Sequence, residues 1–206
     1  MIKVITAVEK YERQPGEVIV FLAGGITKCW EWQDRVIESL KIYDTKVKDL
    51  TGLVIANPRR QNFPINDPNA SNEQITWEFN YLEQMDIFSM YFCGNTESDQ
   101  PICFYELGRN IERMIGERHQ PENCIITCES DFRRIQDVQI QTALVNKGNS
   151  DIVSVIDIGE SRKVSADKHA YRIAEVFLAF VGKISKESNS VCFGNCKDCP
   201  NKSIFE

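Results

Sequence analysis

The apolar positions along the chain change period several times, and each change marks an element. "EVIVFLAG", Glu17 to Gly24, is a continuous apolar run rich in β-formers and ended by glycine, which predicts a strand. "ITKCWEWQDRVIESLKIY" then sets Trp32, Val36, Ile37 and Leu40 at helical spacing. "LTGLVIANPRR" predicts a second strand closed by Asn57 and Pro58, because proline ends a central strand. Beyond a loop rich in Asn, Pro and Asp, Ser71 and Gln74 form a capping-box signature. It predicts a helix from Asn72 to Met85 with Ile75, Phe79 and Leu82 on one face. "DIFSMYF" reads as a strand, and after the polar loop "CGNTESDQ" the run "PICFY" reads as another, leading into a helix that Glu106 opens and "GERHQPEN" ends. "CIITC" predicts a strand, "RRIQDVQIQTALV" a helix, "DIVSVIDIG" a strand and "ADKHAYRIAEVFLAFVGKI" a last amphipathic helix. Strands alternating with helices imply a mostly parallel sheet covered on both faces, a doubly wound α/β fold of flavodoxin or Rossmann type. Ligands in such sheets bind at the carboxyl ends of the strands. Three loops fall there: "AGGITKCW", "NPRRQNF" and "DQPICFYELG".

Composition narrows the picture. The 206 residues suffice for one sizeable core with a tail to spare, so the α/β domain is expected over 1–185 and a separate tail over 186–206, joined by the polar stretch "SKESNS". A net charge of −6 weighs against a broad nucleic-acid surface. The longest apolar run is too short to span a bilayer, and the first residues lack the basic-then-apolar order of a signal peptide, so an intracellular, cytoplasmic protein without a membrane partner is expected. Of eight cysteines, Cys29, Cys93, Cys103, Cys124 and Cys128 lie beside apolar strands and are expected to be buried. Cys192, Cys196 and Cys199 instead form C-x3-C-x2-C in the tail. They suit a structural zinc completed by Cys124, Cys128, His119 or His169, an iron–sulfur cluster, or free redox-active thiols, and three cysteines do not discriminate among these.

The loops also contain the candidate chemistry. Glu106 at a helix start would be kept ionised by the helix dipole, either as a simple helix-start residue or as a carboxylate placed to react. Glu78 lies 28 residues earlier on the helix before the neighbouring strand, so both carboxylates can face one cleft. Such a pair suits chemistry at an anomeric carbon, one attacking or stabilising C1′ and the other handling the leaving group's proton. Trp30, Trp32, Trp77 and Tyr105 offer faces for a nucleobase, or belong to the core. Gly24 and Gly25 allow close approach of backbone to ligand, although "LAGGIT" is not the dinucleotide fingerprint. Arg59 and Arg60 after Asn57 either hold a carboxylate, phosphate or base carbonyl, or are solvated.

Taken together, "VFLAGGIT", "WEWQDRVIESL", "VIANPRR", "TWEFNYLEQMDIFSMYF" and "PICFYELGR" resemble, in order and spacing from Glu17 to Arg109, the nucleoside 2-deoxyribosyltransferase-like family. The resemblance implies Glu106 of "ELG" as nucleophile and Glu78, eight residues before Asp86, as the second acid, where well-known members have aspartate. It implies attack on C1′ of a nucleoside or its monophosphate, a glycosyl ester at Glu106, and transfer to a base or to water. Gly24, Gly25 and Trp30 would shape the pocket, no metal or redox cofactor would be required, and a homo-oligomer would complete each site. Relatives carry aspartate or serine six residues before the nucleophile, for a 5′-hydroxyl or a phosphate; here Gln100 stands there with Asp99 beside it. The rival readings are a non-catalytic nucleotide sensor and a glycohydrolase acting on a dinucleotide such as NAD.

Overall fold

Strands that are apolar at every position must bury both faces, and the structure divides their side chains between two helix layers. The computed structural model describes residues 1–182 apart from 65, 95, 149–151 and 157–160. Its strands are β1 (Lys3–Thr6), β2 (Val18–Gly24), β3 (Leu53–Asn57), β4 (Ile87–Phe92), β5 (Cys124–Glu129) and β6 (Val153–Ile156). All pair in parallel, in the order β1-β3-β2-β4-β5-β6. The helices are α1 (Trp32–Lys46), α2 (Ala70–Gln84), α3 (Pro101–Ile111), α4 (Ile135–Val145) and α5 (Arg162–Phe180). Val18, Val20 and Leu22 join the core that holds Trp32, Val36 and Leu40 of α1 and Ala170 and Ile173 of α5. Ile19, Phe21 and Ala23 join the opposite core with Trp77 and Leu82 of α2, Leu107 of α3 and Val138 of α4. This is the doubly wound fold the alternating pattern predicts, with the period of two along β2 visible in the division.

From β2 the chain moves to β3 on one side and then crosses to β4 on the other, with Gly24 in register with Tyr91. The carboxyl ends of β2 and β4 therefore part at the switch point of strand order, where a crevice opens. Three local features depart from the sequence expectation. β1, a four-residue edge strand, pairs Lys3 with Val54 and is too short to show a period. α2 begins at Ala70 after Asn69, with no side-chain cap, so the Ser71–Gln74 box is not formed. "PICFY" is helix, not strand: Pro101 occupies the first turn of α3, where its missing N–H costs nothing. Cys103, Leu107 and Ile111 then face the core at helical spacing, and β5 fills the place beside β4. Glu106 is thus the sixth residue of α3 rather than its first.

At the far end, α5 is capped by Ser161, whose hydroxyl accepts the N–H of Val164 at 3.4 Å. No described helix is long and apolar enough to cross a membrane. The tail, with Cys192, Cys196 and Cys199, lies outside the described residues.

Candidate active site

The crevice at the switch point is a cleft of about 270 Å³. The end of β2 and its loop supply Gly24, Gly25, Ile26 and Thr27, and the start of α3 with the residues before it supplies Ser98, Gln100, Pro101, Ile102 and Cys103. Phe21 and Ala23 form its apolar floor, and Glu78 of α2 and Glu106 of α3 complete the wall. Glycine is required at the mouth. Gly24 has φ +148°, and a Cβ there would lie 2.3 Å from the carbonyl oxygen of Tyr91. A Cβ on Gly25 would lie 2.4 Å from both the Cys29 sulfur and the Gln100 Oε1.

The two carboxylates come from adjacent helices and share a poorly solvated wall. Burial pushes the Glu106 carboxyl up to about 8, with the neighbouring Glu78 charge adding and the Arg109 charge opposing. Burial also raises Glu78, while a hydrogen bond from Gln74 opposes it. Glu106 is therefore not held ionised by the helix dipole, because its mid-helix position removes the exposed N–H groups and desolvation dominates. Arg109 is drawn aside by an ion pair with Glu83 and lies over the ring of Phe79, 4.5 Å from its centre. Gln74 is a site residue the capping-box reading misplaces. Its amide donates to the Pro58 carbonyl at 2.7 Å and to Glu78 Oε1 at 2.7 Å, fixing the second carboxylate against the β3 loop. The spacing of four residues between Gln74 and Glu78 was the available signal.

The structure separates the other candidates. Gln100 faces the cleft from a left-handed backbone, φ 51°, and its amide donates to the Cys93 carbonyl at 2.8 Å. Asp99 beside it points outward and pairs with Arg133 at 2.7 Å. Asn57 is buried and accepts the N–H of Arg59, which reaches away to Gln33 Oε1 at 2.8 Å and to the Trp30 carbonyl at 2.9 Å. Arg60 lies near Phe63 and borders a different hollow beside Glu9 and Asp34. Tyr105 is 72% exposed and does not line the cleft. Trp32 is stacked on Tyr91 in the core and donates to the Gly25 carbonyl at 2.8 Å, whereas Trp77 donates to the Glu9 carbonyl at 2.8 Å. Trp30 donates to Glu129 Oε1 at 3.0 Å, so none of the four aromatics forms the cleft wall and Phe21 is its aromatic surface.

Glu129 is a second residue that sequence reasoning passes over. It ends β5 with no exposure and accepts from Trp30, from the Tyr91 hydroxyl at 2.8 Å and from the Gly94 N–H at 2.7 Å, and it pairs with Arg162. An acid directly after an apolar strand was its only signal. Of the residues considered as partners for a tail metal, His169 is fully buried with Ser89 on Nε2 and Thr127 on Nδ1, each at 2.7 Å. His119 is held at the Ile115 carbonyl, and Cys124 and Cys128 are buried in the sheet. Among the described residues no three of His, Cys, Asp or Glu are grouped to hold a metal ion.

An α/β sheet open at its switch point, with a pair of desolvated carboxylates from successive helices, defines a class of site suited to acid–base or nucleophilic work. The sequence match is more specific. Residues 17–132 match the family described as nucleoside 2-deoxyribosyltransferase like, and the chain belongs to that family. No curated protein matches the chain. The matched span contains every residue that lines the cleft.

Proposed function

We propose that the protein cleaves or transfers at the N-glycosidic bond of a ribo- or deoxyribonucleoside, or of its monophosphate, with Glu106 as nucleophile and Glu78 as its acid–base partner. The observation that carries this reading is the presence of two desolvated carboxylates, Glu78 and Glu106, in the lining of one cleft with apolar Phe21 and Ala23. A Glu106 oxygen attacks C1′ as the C1′–N bond breaks, and the base leaves with the proton held by Glu78. The resulting glycosyl ester yields to water or to a second base, whose proton returns to Glu78 as the Glu106 carboxylate is released. These steps use only the chain's own side chains. A cleft of about 270 Å³ suits a nucleoside-sized ligand better than a dinucleotide, since pockets for drug-sized ligands span roughly 300–1,000 Å³.

The site is further proposed to work in a homo-oligomer. Ile102, which lines the cleft, and Tyr105 on α3, with Ile75 and Phe79 on α2, are 65%, 72%, 63% and 48% exposed, apolar side chains suited to contact with a second copy. Light scattering of the purified protein tests this, and a monomer at all concentrations contradicts it.

The catalytic proposal is tested by chromatography of free base released from pooled nucleosides, deoxynucleosides and their monophosphates, with and without an acceptor base. Wild type releases base and folded Glu106→Gln does not, a loss of at least about 100-fold. Dependence on the acceptor base separates transferase from hydrolase. Full activity in Glu106→Gln removes the nucleophile assignment, and nucleotide binding without any turnover supports the sensor reading instead.

A further inference from the structure

The arginine pair after β3 takes no part in the cleft, and its two members differ. Arg59 is engaged by Gln33 Oε1 and the Trp30 carbonyl, at 2.8 and 2.9 Å. Arg60 is only partly exposed, yet its guanidinium makes no hydrogen bond or ion pair among the described residues, and its Nη1 is buried without an acceptor. The centre of the Phe63 ring lies 5.5 Å from the guanidinium carbon. A charged donor that has lost part of its water recovers that cost only when an acceptor is supplied, and a planar guanidinium suits an oxyanion.

Space for one adjoins it. Arg60 lines a hollow of about 500 Å³ at the carboxyl ends of β1 and β3, against roughly 300–1,000 Å³ for small-molecule sites. Asn57, 4% exposed, is a second donor in the lining: its Oδ1 accepts the Arg59 N–H at 3.0 Å, and its Nδ2 has no hydrogen-bond partner among the described residues. The lining also holds two exposed carboxylates, Asp34 in the first turn of α1 and Glu9, whose Oε2 accepts the Thr6 N–H at 2.9 Å. Being exposed, they repel an anion only through screened charge, and they accept readily from hydroxyl groups. Donors and acceptors together select an anion that carries hydroxyls.

We propose that this hollow is a binding site for a sugar phosphate, separate from the cleft, with the phosphate on Arg60 and Asn57 and the sugar hydroxyls on Glu9 and Asp34. The loop after β3 connects it to the cleft. Asn57 and Arg59 line the hollow, Pro58 between them lines the cleft, and the Pro58 carbonyl holds the Gln74 amide that also donates to Glu78. A ligand that draws Arg60 inward therefore shifts the support of Glu78. Only this effect on turnover rests on the glycosyl-transfer reading; the binding does not.

The test is isothermal titration calorimetry of the full chain with ribose 5-phosphate, inorganic phosphate and ribose, repeated on Arg60→Gln, Arg60→Lys and Asp34→Asn. Ribose 5-phosphate is expected to bind wild type, with ribose and inorganic phosphate each at least about 10-fold weaker. Arg60→Gln weakens ribose 5-phosphate about 10- to 100-fold, and Arg60→Lys, which keeps the charge and loses the planar fork, falls between. Asp34→Asn weakens ribose 5-phosphate and tightens inorganic phosphate, a reversal that a merely destabilised variant does not produce. Three results overturn the proposal: no binding of ribose 5-phosphate tighter than about 10 mM, binding unchanged in Arg60→Gln, or inorganic phosphate bound as tightly as the sugar phosphate. Base release that responds to ribose 5-phosphate in wild type and not in Arg60→Gln is the expected functional counterpart. A chain that binds the sugar phosphate through Arg60 and never releases base sinks the glycosyl reading and leaves the hollow standing.

Discussion

At Glu106 the surroundings set the chemistry more than the residue type does. With its carboxyl raised to about 8 and Glu78 raised beside it, the pair retains a proton at neutral pH. In the proposed reaction, base release needs that singly protonated pair, one oxygen free to attack and one proton for the leaving base. The kcat/KM for base release should therefore follow a bell, falling on the alkaline side near about 8 as the last proton is lost. Glu78→Gln should lower kcat about 100- to 10,000-fold and turn the bell into a single rising limb, since only ionisation of Glu106 then remains. An unchanged rate in that variant would show that Glu78 handles no proton. Both carboxylates are legible in the sequence because the resemblance marks them by local spacing, Glu106 in "ELG" and Glu78 eight residues before Asp86. Their protonation is not legible, because it depends on how much water each one loses. Gln74 and Gln100 are harder still to read, since the Pro58 and Cys93 carbonyls that hold them meet them only in the folded chain.

At the scale of elements, the apolar runs give the central strands and the long helices, and they fail where a segment is short or doubly readable. "PICFY" has the composition of a strand, yet Pro101 at a helix start and the core positions Cys103 and Leu107 make it the first turns of α3. Glu129 shows what element assignment omits: it ties the end of β5 to Trp30 before α1, to Tyr91 and Gly94 at the end of β4, and to Arg162 at the start of α5. Removing it leaves the Trp30, Tyr91 and Gly94 donors without this acceptor and Arg162 paired with Asp131 alone. Glu129→Ala should destabilise the protein by about 1–3 kcal/mol, measured as a shift in the urea midpoint at constant slope. A shift below about 1 kcal/mol would mean that water replaces the carboxylate.

For the whole molecule, the link between the helix layers and the sheet includes one titratable pin. His169 of α5 sits with no exposure between Ser89 of β4 and Thr127 of β5, and burial depresses its imidazole to about 3 from an ordinary value of 6.5. Because the folded form resists the proton that the unfolded form accepts, this contribution is fully present above about 6.5 and is lost as pH falls towards about 3. The urea midpoint of wild type should fall more steeply over that interval than that of His169→Gln, and parallel curves would remove His169 from the acid response. The loop that closes the cleft has an optical consequence as well. Of the three tryptophans, Trp32 holds the Gly25 carbonyl and stacks on Tyr91, Trp30 is tethered to Glu129, and Trp77 directly precedes Glu78 on α2. Two indoles thus stand one bond or one residue from the cleft lining, Gly25 and Glu78, so the protein's own ultraviolet emission should change when a ligand enters, and a fluorescence titration without any label checks this.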